Sequence, residues 1–267
     1  MKIGFIGTGT ITEAIVTGIA RSELNAEVLL VSPRNATVAS RLAATFPLVE
    51  IARDNQDVID RSDVVFLAIR PQIVRDVLRE LRFQDGQRVV GLVAATGRKQ
   101  LLWWTGGRTL VSQAIPLPFV ADKMGPTIVY PPDPETIRIF EAIGGAIGVE
   151  SLREYQAASV GSALMAAAAG VQETSVKWLS ENGMAPAAAR AYVSGLNFGI
   201  AAAALASPEA PLGDLRRYFS TVGGINEQCY AAFYDHGGVA ALEAAMNAVL
   251  ERVRATPVEN SFEGEAT

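Results

Sequence analysis

The sequence predicts an α/β domain with a mostly parallel, doubly wound sheet, followed by an all-α domain. In the first half, short β-rich runs alternate with helical patterns, which is typical of parallel strands joined by helices that cover both faces of a sheet. From about residue 150 the chain becomes alanine-rich and helical, and strand patterns nearly vanish. We therefore predict domains at residues 1–150 and 151–254, and a flexible tail at 255–267.

The predicted strands of the first domain are short apolar runs, each ended by a glycine, a proline or a polar residue. They lie at residues 2–7, 27–32, 49–52, 64–67, 88–95 and 109–115. Apolar residues three and four positions apart predict the helices. These lie at residues 13–21, 37–45, 55–60, 73–81 and 135–143.

The second domain is predicted to consist of six helices rich in small apolar residues. They lie at residues 153–170, 171–181, 186–206, 211–218, 225–235 and 238–254. Small side chains bury little area per residue, so an isolated copy of this domain would have a thin core. Because a second copy would thicken that core, we expect a homodimer formed through the helical domain, with a monomeric bundle as the alternative.

Composition narrows the function classes. The chain has 267 residues, 49% of them hydrophobic and 19% charged, which is the balance of a globular protein. A net charge of −5 without a basic run argues against a nucleic-acid partner. One cysteine and one histidine leave no intrachain disulfide and no metal site of several Cys and His ligands. No apolar stretch is long enough to cross a membrane, so we expect a cytoplasmic protein.

A glycine-rich turn between the first strand and the first helix is the strongest local pattern. It reads Gly7, Thr8, Gly9, Thr10, Ile11 and Thr12. The first glycine permits the tight turn, and the second lets backbone amides approach a pyrophosphate at the positive end of the helix. We predict a Rossmann-like dinucleotide site here, with a purely structural turn as the alternative. Thr12 replaces the usual Gly or Ala, and its β-branched bulk is expected to loosen helix–strand packing.

The end of the second predicted strand indicates which dinucleotide binds. An NAD site would place Asp or Glu there to hold the ribose 2′-hydroxyl. The chain instead has Ser32, Pro33, Arg34 and Asn35. Arg34 can pair with a 2′-phosphate and Ser32 can donate a hydrogen bond to it, which favours NADP(H) over NAD(H).

Residues at the end of the strand 64–67 are the next cofactor-binding candidates, because ligands of open α/β sheets bind beyond the carboxyl ends of strands. They are Ala68, Ile69, Arg70 and Pro71.

Five features, in order along the chain, resemble the pyrroline-5-carboxylate reductase family over nearly the whole length. They are the opening at 3–9, Asn55, the run 62–72, the segment 93–97 and the loop 221–226. The resemblance implies an NAD(P)H-dependent reductase of a cyclic imine in proline biosynthesis. It also implies an interlocked homodimer whose helical domain completes the active site.

The resemblance further implies roles for individual residues. Asn55 would lie near the adenosine of the cofactor, and Ala94 and Ala95 would line the nicotinamide side. The loop containing Gly223 and Gly224 would bind the substrate carboxylate. Consecutive amides in a glycine turn form an anion-binding nest, so that role is physically reasonable.

The sequence departs from the family where the substrate binds. Of the family run Arg-x-Met-Pro-Asn-Thr-Pro, Pro116 survives, whereas Gln113 replaces the arginine and Leu117 the asparagine. A Thr-Thr pair becomes Ile225, which cannot donate a side-chain hydrogen bond, and Asn226, which can. Four positions keep side chains or backbone that suit substrate binding, and we predict that they bind the substrate: Pro116, Gly223, Gly224 and Asn226. We expect a less polar pocket that suits a larger or more apolar imine, or another C=N or C=O substrate.

These observations predict NADPH-dependent reduction of a small-molecule cyclic imine. A cyclic iminium ion arrives already protonated and needs no strong acid, so the sequence assigns no catalytic residue. For a ketone, the acid candidates would be Ser162, Lys177 and Tyr192. Two alternatives remain: a cofactor-binding sensor or other non-catalytic dimeric module, and a deazaflavin-dependent NADP oxidoreductase, which shares a similar opening.

Overall fold

A computed structural model describes residues 1–93 and 96–255 and contains one eight-stranded sheet. The strands are β1 (Lys2–Ile6), β2 (Val28–Val31), β3 (Val49–Ile51), β4 (Val64–Leu67), β5 (Arg88–Gly91), β6 (Leu110–Ile115), β7 (Thr127–Tyr130) and β8 (Ala146–Gly148). Their order in the sheet is β3-β2-β1-β4-β5-β6-β7-β8. All neighbouring pairs are parallel except β6 with β7. The predicted doubly wound α/β class is confirmed.

Helices connect the strands and cover both faces of the sheet. They are α1 (Thr10–Ala20), α2 (Ala36–Thr45), α3 (Asn55–Asp60), α4 (Pro71–Arg79), α5 (Arg98–Trp104) and α6 (Pro134–Glu141), with a 3₁₀ helix at Pro118–Asp122. One apolar cluster packs α1, α2 and α6 on the first face, and another packs α3, α4 and α5 on the second. At the centre of the first cluster, the ring of Phe66 stacks on Phe5 at 5.0 Å and meets Phe140 edge-on at 5.9 Å.

The second half of the chain is helical, as predicted. Its helices are α7 (Leu152–Glu181), α8 (Pro186–Leu205), α9 (Leu212–Tyr218), α10 (Ile225–Asp235) and α11 (Gly238–Ala255). The predicted break at residue 170 is wrong, because α7 continues through Gly170 as a single helix of 30 residues. Within the described residues, no helix is sufficiently long and apolar to traverse a bilayer.

Packing divides the chain into two units. Among the described residues, one comprises Met1–Ser162 with residues 251–255, and the other comprises Ala163–Leu250. The boundary at residue 150, drawn from composition, stays a prediction. Within residues 163–250, all of which the structure describes, only Ala189 and Val193 are buried. The second unit by itself therefore has almost no hydrophobic core.

Candidate functional site

The candidate cofactor site lies at the carboxyl edge of the sheet, where the chain direction switches. β1 pairs with β2 on one side and with β4 on the other. The connections that leave β1 and β4 therefore diverge and open a crevice, the usual ligand position in this class of sheet. Gly7 follows β1, Ser32 follows β2 and Ala68 follows β4.

Gly7 makes the turn into this crevice in a conformation that requires glycine. Its φ is +99°, and an added Cβ would lie 2.3 Å from the carbonyl oxygen of Ala68. Any side chain here would clash with the backbone of the neighbouring strand as well as strain the turn. The sequence therefore has glycine here to bring two strand ends together.

Gly9 has the opposite surroundings, because an added Cβ would meet nothing within 4 Å. It is the N-cap of α1 and no side chain caps that helix end. The first amides of α1, which include those of Thr10 and Ile11, have no partner within the helix and lie at its positive end. The open space beside Gly9 and these amides fit an anionic group such as a pyrophosphate.

Thr12 does not loosen the packing of α1, contrary to expectation. Its side chain is fully buried, and its hydroxyl donates to the carbonyl oxygen of Gly7 at 2.6 Å. The β-branched residue thus ties the first turn of the helix to the glycine turn.

Ser32 and Thr8 form a buried support beneath the turn. The Gly7 amide donates to Ser32 Oγ at 3.0 Å, and Thr8 Oγ1 donates to the Ser32 carbonyl at 2.7 Å. The two hydroxyl oxygens are 3.0 Å apart. With the Thr8 proton used on the carbonyl, the proton between the hydroxyls comes from Ser32. The geometry therefore gives Ser32 a positioning role, whereas the sequence suggested direct contact with a 2′-phosphate.

Arg34 lies in the loop after β2 and is exposed. No ion pair or hydrogen bond of its guanidinium occurs among the described residues. The neighbouring Asn35 caps α2 by accepting from the Val38 amide at 3.4 Å. Arg34 thus presents a positive charge beside a helix start, which is a suitable setting for a phosphate.

Asn55 begins α3 and is half-buried in the loop after β3. The buried Asp57 fixes this segment by accepting from the backbone amide of Arg53 at 3.0 Å and from its guanidinium at 2.8 Å. The side-chain hydrogen bond from Arg53 is the main reason that the pKa of Asp57 is lowered. The Ala52 amide donates to the Val31 carbonyl, so β2 and β3 end side by side. Arg34 follows β2, and Arg53 follows β3. The guanidinium of Arg53 is held by Asp57, so in this structure it supports the segment before α3.

The segment after β4 runs from the crevice into α4. Ala68 is half-buried, Ile69 is buried and Arg70 is exposed, and Pro71 occupies the first turn of α4. The predicted nicotinamide-side residues Ala94 and Ala95 lie outside the described residues. Their neighbour Thr96 is described, and its carbonyl accepts from Gln113 Nε2 at 2.7 Å.

Gln113 is therefore a buried support on β6, with 2% of its surface exposed. Its Oε1 has no hydrogen-bond partner among the described residues. Pro116 and Leu117 follow β6 and are half-buried. These residues lie at the same edge of the sheet as the candidate cofactor residues.

The predicted substrate loop belongs to the second unit and forms the turn before α10. Gly223 has a φ of +75°, and its amide donates to Glu227 Oε2 at 2.7 Å. The Gly224 amide donates to the Thr221 carbonyl at 2.8 Å. Asn226 Nδ2 donates to the Phe219 carbonyl at 2.8 Å. Sequence reasoning missed Glu227, although Glu or Gln three positions after the N-cap is a known signature of helix starts.

The three acid candidates for a ketone substrate make only local helix contacts or are exposed. Ser162 Oγ donates to the Ser159 carbonyl at 2.7 Å, and Lys177 Nζ lies 3.9 Å from Glu181 Oε1. Tyr192 is exposed. Within the described residues there is no cluster of three or more His, Cys, Asp or Glu side chains suited to a metal ion.

Comparison with known sequences points to one group of oxidoreductases. A family model described as NADP oxidoreductase, coenzyme F420-dependent, matches residues 2–95. Pyrroline-5-carboxylate reductase of Glycine max is 33% identical over 106 residues, which are 39% of this chain and 39% of that protein. Pyrroline-5-carboxylate reductase of Pseudomonas aeruginosa is 22% identical over 261 residues, 94% of this chain and 95% of that protein. The chain thus aligns with well under two thirds of the length of the Glycine max protein, which is the more identical of these two relatives.

Solved structures share the fold over nearly the whole chain. 1-Pyrroline-5-carboxylate reductase of Streptococcus pyogenes aligns with a TM-score of 0.82 at 21% identity, over 96% of this chain and 98% of that one. Pyrroline carboxylate reductase of Plasmodium falciparum, solved with NADP bound, aligns with a TM-score of 0.81 at 17% identity, also over 96% and 98%. These similarities confirm the predicted fold class.

Proposed function

We propose that the chain is a member of the pyrroline-5-carboxylate reductase family and that it reduces the C=N bond of a cyclic imine with NADPH, a proposal that its similarity to such reductases supports. The observation that carries the proposal is the glycine turn at the carboxyl edge of the sheet. Gly7 fits only as glycine, Gly9 leaves open space, and the free amides of α1 face that space. This is a suitable cradle for the pyrophosphate of a dinucleotide.

NADPH is proposed over NADH because of the residues after β2. Arg34 is exposed and carries an available positive charge, and the nearby positions Ser32, Pro33 and Asn35 include no carboxylate to hold a 2′-hydroxyl. A 2′-phosphate accepts hydrogen bonds from a guanidinium in a geometry that a 2′-hydroxyl cannot match. Asn55, at the start of α3, is proposed to contact the adenosine.

The protein's contribution to the reaction is binding and orientation. When bound, NADPH would supply a hydride to the imine carbon. The segment 68–71 would line the nicotinamide side of the crevice. Thr96, whose carbonyl accepts from Gln113 Nε2, would lie on the substrate side. An imine that binds as its protonated iminium ion brings its own proton, so no side chain has to act as the acid.

The family acts on pyrroline-5-carboxylate in proline biosynthesis. The substrate of this protein is proposed to be more apolar than pyrroline-5-carboxylate. Leu117 and Ile225 stand at positions where the family has polar side chains, and neither can donate a side-chain hydrogen bond. Pro116, Gly223, Gly224 and Asn226 remain as the proposed substrate-binding residues.

A homodimer formed through the helical unit is part of the proposal. Large apolar side chains on this unit are exposed, for example Trp178 at 61%, Phe198 at 68% and Leu205 at 82%. With only Ala189 and Val193 buried, the unit needs another apolar surface against which to pack. A second copy of the same unit offers that surface by symmetry.

The test is NADPH oxidation by the purified protein with a panel of cyclic imines. Steady turnover that depends on the imine supports the proposal. Tight NADPH binding without turnover of any imine would contradict it and favour a cofactor-binding sensor.

A second candidate is NADP-linked reduction of a deazaflavin, which the description of the family model matching residues 2–95 favours. That match covers only the nucleotide-binding half, and the helical second half favours the imine reductase. NADPH-dependent bleaching of coenzyme F420 absorbance by the protein, with no imine present, would identify this activity instead.

A further inference from the structure

A buried amide oxygen on β6 lacks a hydrogen-bond donor. Gln113 is 2% exposed, and its Nε2 donates to the Thr96 carbonyl at 2.7 Å, whereas its Oε1 accepts from no group among the described residues. Because the nitrogen and the oxygen of one amide point in different directions, Oε1 is turned away from Thr96. A buried acceptor without a donor is unfavourable, so this oxygen calls for a donor that the chain itself does not supply.

Two tyrosine rings lie on the same face of the sheet as this oxygen. Gln113 and Tyr130 are directly opposite in the antiparallel pair of β6 and β7, so their side chains leave the sheet on one face, with Cβ atoms about 4.5–5.5 Å apart. The ring of Tyr130 packs against that of Tyr155 in the first turn of α7, with 5.6 Å between ring centres and 33° between planes. Thr96 and these three residues all belong to the sheet unit, so their arrangement does not depend on the helical unit.

The two rings offer an aromatic surface that no cation of the protein covers. Both tyrosines are half-buried, and within residues 1–93 and 96–255 no Lys or Arg lies over either ring. Burial raises the pKa of the Tyr155 phenol, so the ring stays neutral in surroundings poor in water. A cation over a tyrosine face is attracted by the ring quadrupole, and this attraction grows when the cation is shielded from water.

A protonated cyclic iminium matches this combination, because it has one N–H to donate and a positive charge to stabilise. We propose that Gln113, Tyr130 and Tyr155 form a recognition site for the iminium cation, in which the Gln113 amide oxygen accepts the iminium N–H and the tyrosine rings stabilise its charge. The inference rests on the proposed function, because it takes the substrate side of the crevice to lie beside Thr96. It explains how a pocket without a carboxylate selects a charged imine over a neutral ketone.

The test compares binding of a charged ring and a neutral ring of the same size. Pyrrolidinium has N–H donors and a positive charge, whereas tetrahydrofuran has neither. Each is titrated into the full-length protein saturated with NADPH, with which neither ligand reacts, and ligand-observed NMR gives the affinities. The wild type is expected to bind pyrrolidinium at least about tenfold more tightly than tetrahydrofuran.

Three variants separate the parts of the site. Gln113→Met keeps the side-chain length but removes the acceptor, and it is expected to reduce the preference for pyrrolidinium by about tenfold. Tyr155→Leu is expected to reduce it by about fivefold, whereas Tyr155→Phe keeps the ring and is expected to stay within about twofold of the wild type. Loss of the bond to Thr96 would weaken both ligands alike, so the ratio of affinities isolates recognition of the cation.

Tyr234→Leu is the matched control. Tyr234 forms a similar tilted ring pair with Tyr230 on α10, with 6.5 Å between ring centres. It belongs to the helical unit, and its replacement is expected to leave the ratio unchanged.

Equal affinity of the wild type for the two ligands would overturn the inference, as would an unchanged ratio in both Gln113→Met and Tyr155→Leu. Either result together with steady imine turnover would refute the recognition site and leave the proposed function intact. Cation-selective binding that these variants abolish, without turnover of any imine, would instead support the site and contradict the proposed function.

Discussion

At the scale of single residues, Arg34 and Ser32 follow the same strand but contribute differently to cofactor binding. Arg34 is exposed and has no ion-pair partner among the described residues. Ser32 is buried and its hydroxyl is bonded to the Gly7 amide. The first is placed to discriminate between cofactors, and the second supports a turn that both cofactors would use.

Arg34→Ala is accordingly expected to weaken NADPH binding by about tenfold or more and to change NADH binding little, because only NADPH has the 2′-phosphate. Ser32→Ala is expected to weaken binding of both cofactors similarly, since it leaves the Gly7 amide without its acceptor. Ser40→Ala, at an exposed position of α2, is the control. Calorimetric titration of each variant with both cofactors makes the comparison. Equal losses for NADPH and NADH in Arg34→Ala would contradict the 2′-phosphate assignment.

Residue-level contacts were the part of the site that sequence reasoning anticipated least. The pattern identified the glycine turn and the position of Arg34, because spacing and residue type carry that information. It placed Ser32 and Asn226 against ligands, which stays a prediction, and it did not anticipate that both side chains also hydrogen-bond to the protein. Which partner a hydroxyl or an amide selects depends on packing in three dimensions, and no local pattern encodes it.

At the scale of elements, the glycine turn and α1 act as one unit with two different glycine requirements. Gly7→Ala is expected to lower the free energy of unfolding by at least about 1–3 kcal/mol for the strained backbone alone. The clash of the added Cβ with the Ala68 carbonyl oxygen adds to that loss. Gly9→Ala is expected to leave stability nearly unchanged and still weaken NADPH binding, because its Cβ would occupy the space proposed for the pyrophosphate. Denaturant unfolding and cofactor titration of both variants measure these effects. Normal NADPH affinity in Gly9→Ala would contradict this position of the cofactor.

The most deeply buried strands of the sheet were predicted from the sequence. β1, β2 and β4 are continuous apolar runs buried on both faces, and the sequence pattern located each of them. β7 and β8 were missed: both are short and partly exposed, so their apolar pattern is weak, although β3, equally short, was predicted. The division of α7 at Gly170 was wrong because an isolated glycine in an otherwise strong helical sequence lowers stability without ending the helix.

At the scale of the whole molecule, the two units differ in how well each can stand alone. The sheet unit has two buried apolar clusters, whereas residues 163–250 have two buried side chains and many large apolar side chains that are exposed. The proposed homodimer would supply the missing core. Alanine-rich composition indicated this shortage, but it did not indicate which side chains remain exposed.

The purified protein is therefore expected to have a solution mass of twice its chain mass of 28.3 kDa. Phe198→Asp, on the exposed surface of α8, is expected to shift the mass toward the monomer, because it places a charge in the proposed apolar interface. Leu110→Asp, at an equally apolar exposed position of the sheet unit, is the control. Light scattering on all three proteins gives the masses, and a monomeric wild type would contradict the proposal.

Hydride transfer from NADPH to the carbon of a C=N bond is measured directly by following deuterium from the cofactor into the product. The protein would be incubated with 1-pyrroline and NADPH deuterated at C4 of the nicotinamide, in each of the two C4 configurations. One of the two configurations is expected to yield pyrrolidine with a single deuterium at the former imine carbon, detected by mass spectrometry and NMR. NADPH oxidation without pyrrolidine, or pyrrolidine without deuterium from either configuration, would contradict it.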